Sequence, residues 1–107
     1  MVPLKVQFRD MDSSEAVISA VEKKASGLEK LHKDIQACTV TISAPHKHSH
    51  HGGHFHVGIH LKLPDGELMV NREPTERQTH EDVYISIRDA FDALKRQIEH
   101  HNTKKHK

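Results

Sequence analysis

The chain has 107 residues, 35% of them hydrophobic, with four aromatics and no tryptophan. That fits one small domain with a modest core of Val, Ile, Leu and Ala. The single cysteine, Cys38, excludes a disulfide-stapled scaffold, and no apolar run approaches the roughly 18–20 residues that span a bilayer. The 16 Lys+Arg and 15 Asp+Glu nearly cancel, leaving a formal charge of +1, but the chain also carries 12 His. At an ordinary imidazole pKa of about 6.5, roughly a quarter of exposed histidines are protonated at pH 7. The chain is therefore near neutral on paper and conditionally cationic. The N-terminus lacks the apolar stretch of a signal peptide, so a soluble cytoplasmic protein is expected.

Leu4-Lys5-Val6-Gln7-Phe8 alternates apolar and polar residues and predicts a first strand. Asp12-Ser13-Ser14-Glu15 has the spacing of a capping box opened by Asp12. The helix after it sets Val17, Val21, Ala25, Leu28 and Leu31 on one stripe, spans a weakening Gly27 and ends near His32-Lys33-Asp34. Gln36 to Ser43 alternates again, with Cys38, Val40 and Ile42 on one face.

A His-rich loop from Pro45 to Gly53 leads to the clearest alternation in the chain: Phe55, Val57, Ile59, Leu61 and Leu63 share one face. Pro64-Asp65-Gly66 predicts a hairpin turn into a fourth strand through Leu68, Met69 and Val70. After a polar loop, Thr79 can cap a second helix, with Asp82 at its third position. Val83, Ile87, Ala90, Phe91, Leu94 and Ile98 then follow at helical spacing. Residues 102–107 have no apolar anchor and are expected to form a basic, disordered tail.

The order β-α-β-β-β-α defines an α+β class. The helix-linked first pair of strands should be parallel and the others antiparallel, giving a four-stranded mixed sheet. Each strand is apolar on one side only, so both helices must pack on that face and leave the other wet.

The wet face presents His54, His56, His60 and Lys62 without an aromatic. Base stacking of the kind seen on aromatic sheet platforms is thus disfavoured. Seven histidines lie between His46 and His60. Residues i and i+2 of a strand share a face about 7 Å apart, so His54 and His56, with His48 or His50, could hold a divalent cation. No Cys/His spacing motif accompanies them, and no residue is assigned to a metal. A His-rich metal-binding protein remains the alternative reading. Cys38 reads as a small buried hydrophobe, and no catalytic constellation or phosphate-binding loop occurs.

The basic residues are the stronger candidates. The first helix region carries Lys23, Lys24, Lys30 and Lys33, and the second carries Arg88, Lys95 and Arg96. Asp92 can pair with Arg88 and Arg96 at helical i,i+4 spacing. After Glu99 every charged residue is basic, which points to an anionic partner.

The order of elements and several motifs resemble the ribosome hibernation-promoting factor and ribosome-associated translation inhibitor family. Leu63-Pro64-Asp65-Gly66-Glu67-Leu68 is similar to its "LPGGEL" hairpin. Asp82-Val83-Tyr84-Ile85-Ser86-Ile87 is similar to its "DMYAAI" helix entry. Leu94-Lys95-Arg96-Gln97-Ile98 resembles the stretch before its basic tail. Arg9-Asp10 stands where members often have a glycine.

The resemblance implies one ribosome-binding-like domain over residues 1–101, a short form without the C-terminal dimerisation domain of longer members. It implies binding to rRNA of the small ribosomal subunit in the decoding channel, and inhibition of translation on idle ribosomes. No enzyme activity, cofactor, membrane or small-molecule substrate is implied. By analogy with the family's basic patch, Lys23, Lys24, Arg88, Arg96, Lys104 and Lys105 are the expected rRNA contacts. Lys47 and Arg72 are added as basic residues at loop and strand ends. Protonation of the histidines should raise rRNA affinity between pH 7.5 and pH 6.

Overall fold

The computed structural model describes residues 2–43, 55–72 and 83–105. Within these, β1 (Leu4–Arg9) leads to α1 (Glu15–Ser26), β2 (Ala37–Ser43), β3 (His56–Leu63), β4 (Gly66–Arg72) and α2 (Val83–Lys105). The strands form one sheet in the order β1-β2-β3-β4. β1 and β2 run parallel, with Val6 beside Val40. The β2–β3 and β3–β4 pairs are antiparallel, with Val40 opposite Ile59 and Ile59 opposite Val70. This is the α+β architecture expected from the alternating pattern.

The pleat sorts the side chains. Cys38, Val40, Ile42, Val57, Ile59, Leu61, Leu63 and Val70 are buried on one face. Against them lie Val17, Val21 and Ala25 of α1, and Val83, Ile87, Ala90, Phe91, Leu94 and Ile98 of α2. Phe55 is half-buried against the same core. No polar or charged residue is buried among the described residues. Burial raises the Cys38 thiol to about 11, so it stays protonated and inert, as a desolvated thiol must.

Three boundaries differ from the expected ones. Ser14, not Asp12, caps α1: it is extended (φ −135°, ψ 121°) and its side chain accepts from the Val17 N–H at 3.3 Å. That start places Val17 at the third helical position, where a cap side chain reaches the free N–H. α1 also ends sooner than its apolar stripe suggests. At Gly27 the chain tightens into a 3-10 turn, Gly27–Lys30, which keeps Leu28 fully buried. The N–H groups of Leu31 and His32 both donate to the Leu28 carbonyl, at 2.9 and 3.1 Å, and close the turn.

The third shift is at the far end. α2 continues through Lys105, past the expected boundary at residue 101. The Asn102 amide donates to the Leu31 carbonyl at 2.9 Å, an anchor 71 residues away in the chain. An anchor need not be apolar, which is why hydropathy did not reveal it. Thr103 adds a bond to the Glu99 carbonyl at 2.9 Å. The expected cap at Thr79 and Asp82 lies outside the described residues.

β3 and β4 are joined through Pro64-Asp65, with Leu63 paired to Gly66. Asp10, just after β1, has φ 58°, in the left-handed region that suits glycine and that Asp tolerates better than most residues.

Candidate functional site

Two surfaces flank the core. The open sheet face holds a shallow depression lined by Arg9, Thr39, Thr41, Ser43, His56, Gly58, His60, Met69 and Asn71. Thr41 donates to the Gln7 side chain across β1 and β2 at 3.2 Å. His60 pairs with Glu67 across β3 and β4. Met69 is 60% exposed there, and no Phe, Tyr or Trp joins it among the described residues. A face of hydroxyls, imidazoles, one guanidinium and one thioether lacks the large Phe, Tyr or Trp platforms of sheets on which bases stack.

The helix side is different. α1 packs beside α2, and both lie over the apolar face of the sheet. One flank of α1, with Glu22, Ala25 and Ser26, borders Val2, Pro3 and Leu4 at the outer edge of the sheet. Lys24 follows Glu22 by two residues, so helical geometry sets it about 200° away, on the flank turned toward α2. Lys23 lies beside it toward solvent and is exposed, whereas Lys24 is half-buried. Both occupy the last turn of α1, where the helix dipole favours cations.

α2 is oriented by two side-chain amides. Gln97 donates to the Met69 carbonyl on β4 at 3.0 Å, which fixes one flank over the sheet edge. Asn102 fixes the other against Leu31, just after the 3-10 turn. Arg88, Lys95 and Asn102 are spaced by seven residues and therefore share that second flank. Lys24 thus lies on the flank of α1 turned toward α2, and Arg88 and Lys95 lie on the flank of α2 turned toward α1.

The cations are not unopposed. Arg88 pairs with Asp89, its Nη2 3.2 Å and its Nε 3.3 Å from Oδ1. The expected i,i+4 partner was Asp92, but an adjacent carboxylate on the exposed surface is reached with less ordering of the long side chain. Such an exposed pair contributes little and can be exchanged for another anion.

Of the other expected contacts, Arg96 is exposed on the outer surface of α2. Lys104 and Lys105 fall in its last turn, and Arg72 in the last position of β4. Lys47, His48, His50 and His54 lie outside the described residues. Sequence reading did not single out Lys95, although its spacing from Arg88 was available. It also passed over a group that only folding assembles: His32, Asp65 and His101, whose ligand atoms all lie within 4.8 Å of one another.

A four-stranded mixed sheet covered on one face by two helices, with a polar open face, defines a small α+β domain. The chain belongs to the Sigma 54 modulation protein / S30EA ribosomal protein family, whose model matches residues 4–106. Among solved structures it is similar to a ribosomal subunit interface protein from Coxiella burnetii. The TM-score is 0.76 at 17% identity, covering 95% of this chain and 99% of that one. It is also similar to the Protein Y N-terminal domain of Thermus thermophilus. There the TM-score is 0.67 at 22% identity, covering 94% of this chain and 98% of that one. These likenesses establish the fold. A search of curated proteins finds no match.

Proposed function

We propose that this protein binds the small ribosomal subunit through rRNA in the decoding channel and blocks translation by occupying it. The observation that carries the reading is the basic surface of the helix layer: Lys23 and Lys24 in the last turn of α1, and Arg88 and Lys95 on the flank of α2 turned toward α1. Family membership supports a ribosomal partner, and the similar Coxiella structure is described as a ribosomal subunit interface protein. A-form RNA presents its phosphates and 2′-hydroxyls rather than readable base edges. A pair of helices carrying cations suits that target better than a sheet face with no Phe, Tyr or Trp among its described residues suits unstacked bases.

The work is occupancy rather than catalysis. Lysines and arginines replace counterions on the phosphates, so affinity must fall steeply with salt. With Lys23, Lys24, Arg88, Lys95 and Arg96 each on one phosphate, raising salt from about 50 to about 200 mM lowers affinity roughly 100–500-fold. Lys104 and Lys105 at the end of α2 would steepen the dependence. The test is co-sedimentation with purified 30S and 70S particles across that salt range. Binding at low salt that disappears at high salt, together with inhibition of cell-free translation, is the expected result. A protein that stays at the top of the low-salt gradient refutes the reading.

A further inference from the structure

We infer that His32, Asp65 and His101 form a binding site for a borderline divalent cation such as Zn2+. The three residues come from the segment after the 3-10 turn, the β3–β4 hairpin and the last part of α2. They are separated by 33 and 36 positions in the chain, yet their ligand atoms lie within 4.8 Å of one another. His32 and His101 are half-buried, which lowers the cost of stripping water from a bound ion. Their ring centroids are 6.2 Å apart, with planes inclined at 44°.

The dimensions suit the ion. Tetrahedral zinc with bonds of about 2.0–2.1 Å has ligand atoms about 3.3–3.4 Å apart. His101 Nε2 and Asp65 Oδ1 are already separated by 3.3 Å. The remaining separations, within 4.8 Å, need to close by no more than about 1.5 Å to reach that edge length, within reach of small χ rotations. Two imidazoles and one carboxylate are the donor set that suits zinc, with water completing the tetrahedron.

The supports of the site are independent of a metal. Asn102, adjacent to His101, bonds the carbonyl of Leu31, adjacent to His32. That bond holds the two histidines at one place. His32 Nδ1 accepts from the Asp34 N–H at 3.2 Å. Once this single long bond is given up, either ring nitrogen can present the lone pair to a cation. A bound ion would tie the end of α2 to the hairpin and to the turn after α1, and so stabilise the helix that carries Lys104 and Lys105. Protons compete for the imidazole lone pairs, so binding must weaken as pH falls.

The test removes the competing histidines first. In a chain carrying His46→Asn, His48→Asn, His50→Asn, His51→Asn and His54→Asn, Zn2+ alone is titrated by calorimetry. One equivalent should bind with micromolar or tighter affinity and raise the melting temperature. Each of His32→Gln, Asp65→Asn and His101→Gln should weaken binding at least about tenfold. Imidazole 15N spectra of the loop-substituted chain, which need no change at the site, should shift at His32 and His101. Absence of saturable Zn2+ binding in that chain overturns the proposal. So does binding that survives all three substitutions, or shifts confined to His56 and His60.

Discussion

Asn102→Ala isolates the contact that carries α2 past its apolar stretch. The substitution removes the 2.9 Å bond to the Leu31 carbonyl. A carbonyl deprived of its partner costs about 1–3 kcal/mol when buried. Leu31 is half-buried, so the low end of that range applies. Alanine returns about 0.5 kcal/mol of helix propensity. The net loss is then about 0.5–1.5 kcal/mol, a fall of roughly 3–10 °C in melting temperature for a domain of this size. Amide hydrogen exchange should quicken over residues 99–105 and stay unchanged in β2 and β3, because the loss is local. His100→Ala is the control: His100 is exposed, and its replacement gains the same propensity without removing the Asn102 bond, so the melting temperature should hold or rise. If Asn102→Ala melts at or above the parent, or exchange near residue 102 is unaltered, the amide does not anchor the helix.

Further outcomes follow from the same fold. Phe91 is fully buried, so Phe91→Ala should cost about 3–5 kcal/mol by urea unfolding, a large part of the 5–15 kcal/mol typical of a domain; a loss below about 1 kcal/mol would contradict its place in the core. Cys38 has a folded-state value of about 11 against 9.0 for the free thiol. Its raised value means that its contribution is complete below pH 9 and is lost as pH rises through 11, at up to about 1.4 kcal/mol per pH unit. Cys38→Ala should flatten that alkaline decline, and an unchanged slope would show that the thiol does not titrate with unfolding. At Asp10, Gly should be tolerated within about 0.5 kcal/mol, because relief of the left-handed conformation is offset by chain entropy. Asp10→Val should lose about 1–2 kcal/mol, and equal stabilities would remove the conformational argument. Lys24→Ala should lower the salt slope of ribosome binding by about 0.7–0.9; an unchanged slope would take Lys24 out of the phosphate contacts.

The sequence by itself determined what depends on neighbours in the chain. The alternation of Phe55, Val57, Ile59, Leu61 and Leu63 dictated a strand with one buried side, because successive side chains of a strand point to opposite faces. The spacing of Val83, Ile87, Phe91, Leu94 and Ile98 dictated the buried stripe of α2 in the same way. Together these made the element order, the mixed sheet, the bare polar face and the inert Cys38 readable.

Only the tertiary structure decided the rest. Whether Asp12 or Ser14 caps α1 depends on how Val17, Val21 and Ala25 seat on the sheet. How far α2 runs depends on Asn102 meeting Leu31. Arg88 and Lys95 lie on the flank of α2 turned toward α1 because Asn102, on that flank, meets Leu31, and no local pattern says on which flank of the stripe α1 will pack. His32, Asp65 and His101 carry no spacing motif at all. Their chemistry arises from three chain segments converging at one end of the fold, and convergence across dozens of residues is a property of packing rather than of periodicity.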